Sequence, residues 1–306
     1  MSLCEKPAIS VIVPTYNRAA CIERSIRSIL SQTWSDFEVI IVDDGSTDET
    51  QQVITTIDDL RLRYHYQSNR GVSAARNAGV MLAKSKLLVF LDSDDEAQPD
   101  WLQQIACTFE TDNQIGIVCG GVIIRELGQE FKRLPRQLGA AYHYQTGLFA
   151  AGTFALRKVL FDQVGGYAES LAFSENTELA LRLIPCCLAN GWTVASIYRP
   201  LIIYHREPLR WARSQDKFRL RLQSAQYILD HHGEKYRGPH PAGYANYCVI
   251  AGVNAARLGW FRQARSYFIA AIQVNPFNWR HYVRLFLSLV PSVGNQFWLR
   301  HQEVFE

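Results

Sequence analysis

The sequence predicts an α/β protein, in which a mostly parallel β-sheet with flanking helices is followed by a small C-terminal module made of helices. Short apolar, β-branched runs alternate with stretches of helical spacing over about the first 200 residues. After residue 208 only helical spacing remains. The chain has 306 residues, 48% apolar and 20% charged, which is typical of an ordinary globular protein and not of a disordered one.

The first half alternates strands and helices. The expected elements are strand 8–13, helix 19–32, strand 37–42, helix 47–57, strand 62–67, helix 72–83 and strand 87–91. The first run is apolar and ends at Pro14, and the second ends in Asp43-Asp44-Gly45, as buried parallel strands do. Such βαβ units bind ligands beyond the carboxyl ends of their strands.

The second half of this domain, which we place at residues 1–207, has shorter and more mixed elements. They are expected at strand 116–124, helix 157–164, helix 176–189 and strand 192–198. The C-terminal module, residues 208–306, is expected to hold helices 210–230, 243–258, 261–274 and 278–290. Residues 255–276 resemble one tetratricopeptide hairpin, but a repeat array needs at least three units, so simple packing explains the hairpin better than partner binding does.

The charge is unevenly distributed. Residues 205–306 hold 14 Lys and Arg against 6 Asp and Glu, whereas the rest of the chain is slightly acidic. A basic module can face an anionic lipid or a phosphate-bearing acceptor, or it can be a solvated helical surface. Its aromatic residues fit a peripheral membrane contact and core packing equally well; they are Trp211, Trp260, Phe261, Trp279, Phe286 and Trp298.

The sequence shows neither a signal segment nor an apolar stretch of the roughly 18 residues that a membrane span needs. Its seven cysteines lack CxxC or metal-finger spacing and are expected to be buried thiols in a reducing compartment. We therefore expect a cytoplasmic protein, with membrane association left open.

Polar clusters end the three early strands, at 14–18, 43–46 and 92–95, and should meet at one cleft. Neither the glycine fingerprint GxGxxG nor the phosphate-binding GxxxxGK[ST] loop is present. The last cluster contains Asp92, Asp94 and Asp95, which would repel one another unless a cation lay among them, and Mg²⁺ or Mn²⁺ prefers such oxygen ligands. The alternative is a solvated acidic turn that caps the helix starting near Asp100.

Four motifs together resemble family 2 glycosyltransferases of the GT-A fold, over about residues 5–205. They are Val13-Pro14-Thr15-Tyr16-Asn17-Arg18, Val42-Asp43-Asp44-Gly45-Ser46-Thr47-Asp48, Asn69-Arg70-Gly71-Val72-Ser73-Ala74-Ala75-Arg76-Asn77-Ala78-Gly79 and Phe90-Leu91-Asp92-Ser93-Asp94-Asp95. Asp92-Ser93-Asp94 matches the DxD motif of that family. Four motifs in the right order are much more specific than any one alone.

The resemblance implies a role for each matched residue. The nucleotide would be bound by Pro14, Thr15, Tyr16, Arg18, Asp44, Arg70, Arg76, Asp92 and Ser93, with Asp44 accepting from the base. The metal, Mg²⁺ or Mn²⁺, would be held by Asp94, Asp95 and His205. Surface or helix-capping roles remain alternatives for the two arginines, and a structural role remains one for the histidine.

The family's catalytic base is usually the aspartate of a Glu-Asp pair at the start of a helix. Here the matching residues are Glu175 and Asn176, and an amide cannot accept a proton at neutral pH. We expect Glu175 to act as base; Glu178 is the other candidate, but it is also interpreted as an exposed helix residue.

The implied function is inverting sugar transfer, for example in polysaccharide biosynthesis, from a nucleotide-diphospho-sugar, typically UDP-linked, to a hydroxyl of a saccharide or lipid-linked acceptor, with no nucleic-acid partner. The main alternative is a catalytically weakened donor-binding protein of the same fold, because Asn176 replaces the expected base. A nucleotidyltransferase is disfavoured because the loop after the first strand contains no glycine. A scaffolding role rests only on the one hairpin.

Overall fold

The computed structural model describes residues 8–206 and 215–290. The chain forms two compact units. The first contains residues 1–138, 142–169 and 175–208, and the second contains residues 139–141, 170–174 and 209–306. Each unit has its own set of elements.

Eleven strands occur in the described part of the chain. They are β1 Ile9–Thr15, β2 Phe37–Asp43, β3 Leu62–Tyr66, β4 Leu87–Phe90, β5 Glu96–Ala97, β6 Ile115–Glu126, β7 Gln129–Arg133, β8 Arg136–Gln137, β9 Thr146–Gly147, β10 Phe154–Arg157 and β11 Thr193–Arg206. Nine of them form one sheet in the order β3-β2-β1-β4-β10-β6-β11-β5, with β7 beside β6, and β8 pairs with β9. Strands β1 to β4 run parallel, as the alternating pattern predicts.

Ten α-helices occur in the same residues. They are α1 Ile22–Leu30, α2 Thr50–Thr55, α3 Val72–Leu82, α4 Trp101–Thr111, α5 Lys158–Gln163, α6 Glu175–Ala189, α7 Gln215–Arg237, α8 Pro241–Arg257, α9 Phe261–Val274 and α10 Trp279–Leu289. A 3₁₀ turn covers Ala140–Tyr142. The predicted α/β fold is confirmed, and the helices lie within a few residues of the predicted positions; residues 210–214 of one predicted helix lie outside the described residues, as do Trp211 and Trp298.

Three strands of the sheet, β5, β7 and β10, do not follow from the sequence pattern. Strand β10 inserts antiparallel between β4 and β6, pairing Ala155 with Val89 and Leu156 with Ile117. It is only four residues long, too short to show a period, and it directly precedes α5. The insertion continues the sheet beyond the parallel half.

The first unit has a core on each face of the sheet. Val11 and Val13 pack with α1 and α4, whereas Ile12 packs with α5 and α6 on the opposite face. This follows from the alternation of side chains along a strand. Helix α3 lies so close to β1 that a Cβ on Gly79 would overlap Ile12, so this glycine is required by the packing.

The second unit is helical. Helices α7 to α10 pack in sequence order, each against the next. A Cβ on Gly252 of α8 would lie 2.5 Å from the ring of Phe268 on α9, and Ala255 and Ala271 are fully buried between the same helices. Small residues therefore allow these two helices to approach closely.

The cysteine prediction is only partly right. Cys119, Cys187 and Cys248 are buried, but Cys107 is exposed, and the cysteines in the described residues are free thiols. Cys4 lies outside the described residues. No helix in the described part of the chain is long and apolar enough to cross a membrane.

Candidate functional site

The turn after β1 is fastened to the turn after β2. Asn17 has a left-handed backbone (φ 52°), and its main-chain N–H donates to the Ser46 hydroxyl at 2.9 Å while its side-chain oxygen accepts from the Thr47 N–H at 2.8 Å. Two predicted nucleotide residues flank this turn. Tyr16 is half-exposed, and the Thr15 hydroxyl is buried without a hydrogen-bond partner in the described residues. An orphaned buried hydroxyl is rare, which marks it as a group that a ligand can satisfy.

Asp44 anchors the loop between β3 and α3. Its carboxylate is buried and accepts from the Gln67 side chain at 2.7 Å, the Arg70 N–H at 2.9 Å and the Gly71 N–H at 2.7 Å. Gly71 has φ 92°, a conformation that favours glycine. A carboxylate has about four acceptor positions, so three of them are already occupied by this chain.

Arg76 is the centre of the site. Its side chain is only 1% exposed; one terminal nitrogen donates to Asp92 at 2.7 Å and the other to Glu175 at 3.0 Å. Burial by itself would lower the pKa of Arg76, but the charges of Asp92 and Glu175 outweigh it and raise the pKa, so the guanidinium stays charged. Its Nε has no hydrogen-bond partner among the described residues. The alternative of a surface or helix-capping role is wrong for this arginine.

Neighbouring side chains hold Glu175 and Asn176, the first two residues of α6. The Asn176 amide donates to the Glu175 carboxylate at 3.3 Å and accepts from the Tyr167 hydroxyl at 2.8 Å. Burial raises the pKa of Tyr167, so its hydroxyl remains a donor. Tyr167 is fixed in turn by Asn77, whose side chain bonds both the N–H (2.9 Å) and the C=O (3.0 Å) of its main chain.

Glu178 forms an ion pair with Arg182 on the same helix. It is 1% exposed and forms two hydrogen bonds with Arg182, at 2.7 and 2.5 Å. Its interpretation as an exposed helix residue is therefore wrong. Arg182 bonds both oxygens of Glu178, whereas Arg76 and Asn176 both bond Oε1 of Glu175, so Glu175 is the better placed carboxylate.

Two aspartates of the acidic cluster after β4 have raised pKa values. Asp95 is buried, and burial together with Asp92 and Asp94 raises its pKa to about 9, although the His205 main-chain N–H donates to it. Burial and Asp92 likewise raise the pKa of Asp94, against the effect of Arg18 and Arg24. Carboxylates in such a setting stay ionised only beside additional positive charge.

A solvated capping turn does not describe this cluster. Helix α4 begins after Asp100, whose side chain makes no capping hydrogen bond and pairs with Arg199 at 2.9 Å instead. Asp95 is buried, and Asp94 contacts the guanidinium of Arg18 at 3.5 Å. Within residues 8–206 and 215–290, no three His, Cys, Asp or Glu side chains are grouped as a metal site.

The side chains of two predicted site residues, His205 and Arg70, contact residues outside the group around Arg76. The His205 imidazole contacts Glu96 at 3.0 Å, where β11 pairs with β5. Arg70 is largely exposed and pairs with Glu169 at 2.8 Å. The structure thus groups Arg18, Arg76 and the three aspartates with Glu175 and Asn176. It leaves the His205 ring in contact with Glu96 and Arg70 in an ion pair with Glu169.

Comparison with known proteins now decides the family. The model of "Glycosyl transferase family 2" matches residues 10–168, which is just over half of the chain and includes all four motifs. The chain belongs to glycosyl transferase family 2. An uncharacterized glycosyltransferase of Nostoc sp. strain PCC 7120 is 42% identical over 113 residues, which are 36% of this chain and 35% of that protein. The chain spans between a quarter and about a third of the length of the first curated relatives it matches.

Solved structures share the fold of this family 2 chain. S. aureus TarS 1-349 in complex with UDP-GlcNAc has a TM-score of 0.61 at 21% identity, over 94% of this chain and 89% of that one. The mannosyltransferase PcManGT from Pyrobaculum calidifontis, in complex with GDP-Man and Mn²⁺, has a TM-score of 0.56 at 20% identity, over 98% and 87%. These likenesses support the GT-A fold.

Sequence reasoning missed two residues of this family 2 site, Tyr167 and Asn77. Tyr167 follows Gly165 and Gly166, which have φ values of 77° and 74°. Two consecutive glycines before a buried aromatic ring are a turn signal that places this ring, and Asn77 lies next to Arg76 within a motif already singled out.

Proposed function

We propose that this chain transfers a sugar from a nucleotide-diphospho-sugar to a hydroxyl of a saccharide or lipid-linked acceptor, with inversion at the anomeric carbon. One observation carries the proposal. Arg76 joins Asp92, at the end of β4, to Glu175, at the start of α6, within 2.7 and 3.0 Å. We propose that Asp92 binds the donor and that Glu175 is the base, so that one buried guanidinium positions both groups.

The donor is proposed to lie beyond the carboxyl ends of β1, β2 and β4. The Thr15 hydroxyl and the Arg76 Nε are buried polar groups without partners among the described residues, and a ligand would satisfy them. UDP-GlcNAc is bound by S. aureus TarS and GDP-Man by PcManGT, the two solved structures of similar fold. Uridine is the base we propose, with Asp44 using its remaining acceptor position.

The acidic cluster fits a divalent cation in its donor chemistry. Asp92, Asp94 and Asp95 supply hard carboxylate oxygens, and burial, followed by the charge of neighbouring carboxylates, raises the pKa of Asp94 and Asp95. Mg²⁺ or Mn²⁺ commonly uses only one or two carboxylates together with substrate phosphates, and it would neutralise charge on the departing diphosphate. We propose Asp94 and Asp95 as the residues that hold it.

Glu175 is proposed as the base. The acceptor oxygen attacks the anomeric carbon, its proton passes to the Glu175 carboxylate, and the bond to the diphosphate oxygen breaks with the electron pair leaving on the diphosphate. Arg76 and the Asn176 amide both donate to this carboxylate and hold it in place. We further propose that residues 1–207 carry the transfer reaction and that residues 208–306 form an accessory module with one tetratricopeptide-like hairpin.

The test combines binding with turnover. Isothermal titration of UDP and GDP, with and without Mn²⁺, measures donor recognition, and hydrolysis of the sugar donor measures chemistry. We expect metal-dependent UDP binding, and we expect Glu175→Gln to lose at least about 100-fold in hydrolysis. Glu23→Gln, which removes an exposed carboxylate paired with Arg27 on α1, is the matched control and should keep full activity.

The second candidate is a donor-binding protein with little or no turnover. It is favoured by Asn176, an amide where the family has a carboxylate. Nucleotide binding with no hydrolysis in the native chain or in Glu175→Gln supports this candidate. Absence of nucleotide binding contradicts both.

A further inference from the structure

Helix α10 has an inverted distribution of polarity. Its buried face carries His281, Arg284 and Ser288, which are at most 7% exposed, together with Leu287. Its solvent face carries large apolar side chains at spacings of three and four residues; they are Trp279, Tyr282, Val283, Phe286 and Leu289. Folding alone favours the opposite arrangement, in which the apolar face is buried.

The polar residues inside are used by the fold. Arg284 contacts the His281 ring at 3.3 Å within α10, and Arg265 of α9 donates to the Ser288 carbonyl at 3.3 Å, which links α10 to α9 in this orientation. The apolar face therefore points outward as part of a fixed structure. Its members and the adjoining Phe277 range from 39% exposed at Val283 to 96% at Phe277.

This surface, residues 277–289 of the second unit, lies in a stretch of sequence that carries one sign of charge. Residues 238–290 contain five arginines and no Asp, Glu or Lys. Arg262 and Arg280 are exposed. A second copy of the same face would bring the exposed arginines of residues 238–290 together, and this stretch has no carboxylate to neutralise them, so self-association through this face is disfavoured.

We propose that the apolar face of α10 is a membrane-docking surface, which lies in the plane of a lipid bilayer carrying anionic headgroups. Trp and Tyr side chains prefer the boundary between headgroups and acyl chains, and exposed arginines beside them attract the anionic phosphate groups. The helix has 11 residues and is about 16 Å long, which suits lying on a membrane and is too short to span one. The inference is independent of the proposed transfer reaction.

The experiment is co-sedimentation of the full chain with vesicles of phosphatidylcholine and phosphatidylglycerol at 3:1, compared with pure phosphatidylcholine. We expect binding to the anionic vesicles that weakens in 0.5 M salt. The double variant Trp279→Ser/Phe286→Ser should bind the anionic vesicles at least about tenfold more weakly than the native chain does. The matched control is Leu60→Ser/Met81→Ser, which removes two apolar side chains of the first unit that are 100% and 85% exposed and should not affect binding.

Five results would overturn the proposal. The first is no binding of the native chain to anionic vesicles, and the second is equal binding by Trp279→Ser/Phe286→Ser. The third is a marked fall in the melting temperature of that variant, which would show that the protein itself covers the face. The fourth is a dimer in light scattering that the variant abolishes. Competition by soluble inorganic phosphate, added at equal ionic strength to a chloride control, would assign the site to a free anion and also contradict docking on lipid.

Discussion

Replacing Arg76 with methionine tests the buried ion-pair centre of the site directly. Arg76→Met keeps most of the unbranched stem and removes the guanidinium that bonds Asp92 at 2.7 Å and Glu175 at 3.0 Å. Removing one partner of a buried ion pair leaves the other charge uncompensated and costs about 3 to 5 kcal/mol. Glu175 is only 15% exposed and bears this cost, whereas Asp92 is 36% exposed and is partly hydrated. We therefore expect the free energy of unfolding to fall by about 2 to 4 kcal/mol.

The assay is urea unfolding at pH 7 of the native chain, Arg76→Met and a matched control. Arg70→Met removes a second arginine of the same motif, whose pair with Glu169 is exposed, so it should cost less than about 1 kcal/mol. The double variant Arg76→Met/Glu175→Gln should lose less stability than the sum of its single variants, because the stranded charge is gone. Equal losses for Arg76→Met and Arg70→Met, or additive losses in the double variant, would refute the reasoning.

Three further predictions concern other parts of the chain. Asp44→Asn leaves one acceptor oxygen for three donors, so amide hydrogen exchange in loop 67–71 should become faster. Gly79→Ala should lose about 1 to 3 kcal/mol in urea unfolding, because the added methyl overlaps Ile12. Burial and then Arg284 lower the pKa of His281, so below about pH 6.5 the unfolded chain binds a proton that the folded chain does not. Native stability should fall on acidification below that pH, and it should fall less in His281→Asn.

The sequence predicts those features that depend on local patterns. The helices and parallel strands follow from apolar periodicity, which is set by residues a few positions apart. The motif positions also follow, since Gly79 and Gly71 satisfy backbone requirements that glycine meets best. Strand β10 does not, because its four residues are too few to display a period.

The partners of the site residues could not be predicted. Arg76 and Glu175 are 99 positions apart in the chain, and nothing in either local sequence specifies that they pair. The same holds for His205, whose ring meets Glu96 across 109 positions instead of the aspartates that the resemblance implies. Pairing of this kind depends on how β11 is placed beside β5, which is a property of the assembled sheet.

The amide at position 176 is compatible with a working base next to it. Its NH₂ group donates to Glu175 at 3.3 Å, and its oxygen accepts from the Tyr167 hydroxyl at 2.8 Å, so the side chain links a fixed aromatic residue to the proposed base. A carboxylate at the same position could accept from Tyr167 but would repel Glu175 at that distance. Arg76 then faces the proposed base, Glu175, and the proposed donor-binding carboxylate, Asp92, where a Glu-Asp pair would present a second acid beside the base. Asn176 therefore leaves Glu175 as the residue proposed to take the proton. If Glu175 serves as the base, Glu175→Gln should lose the turnover that the native chain shows. If the base has been lost, the native chain and Glu175→Gln should both lack turnover.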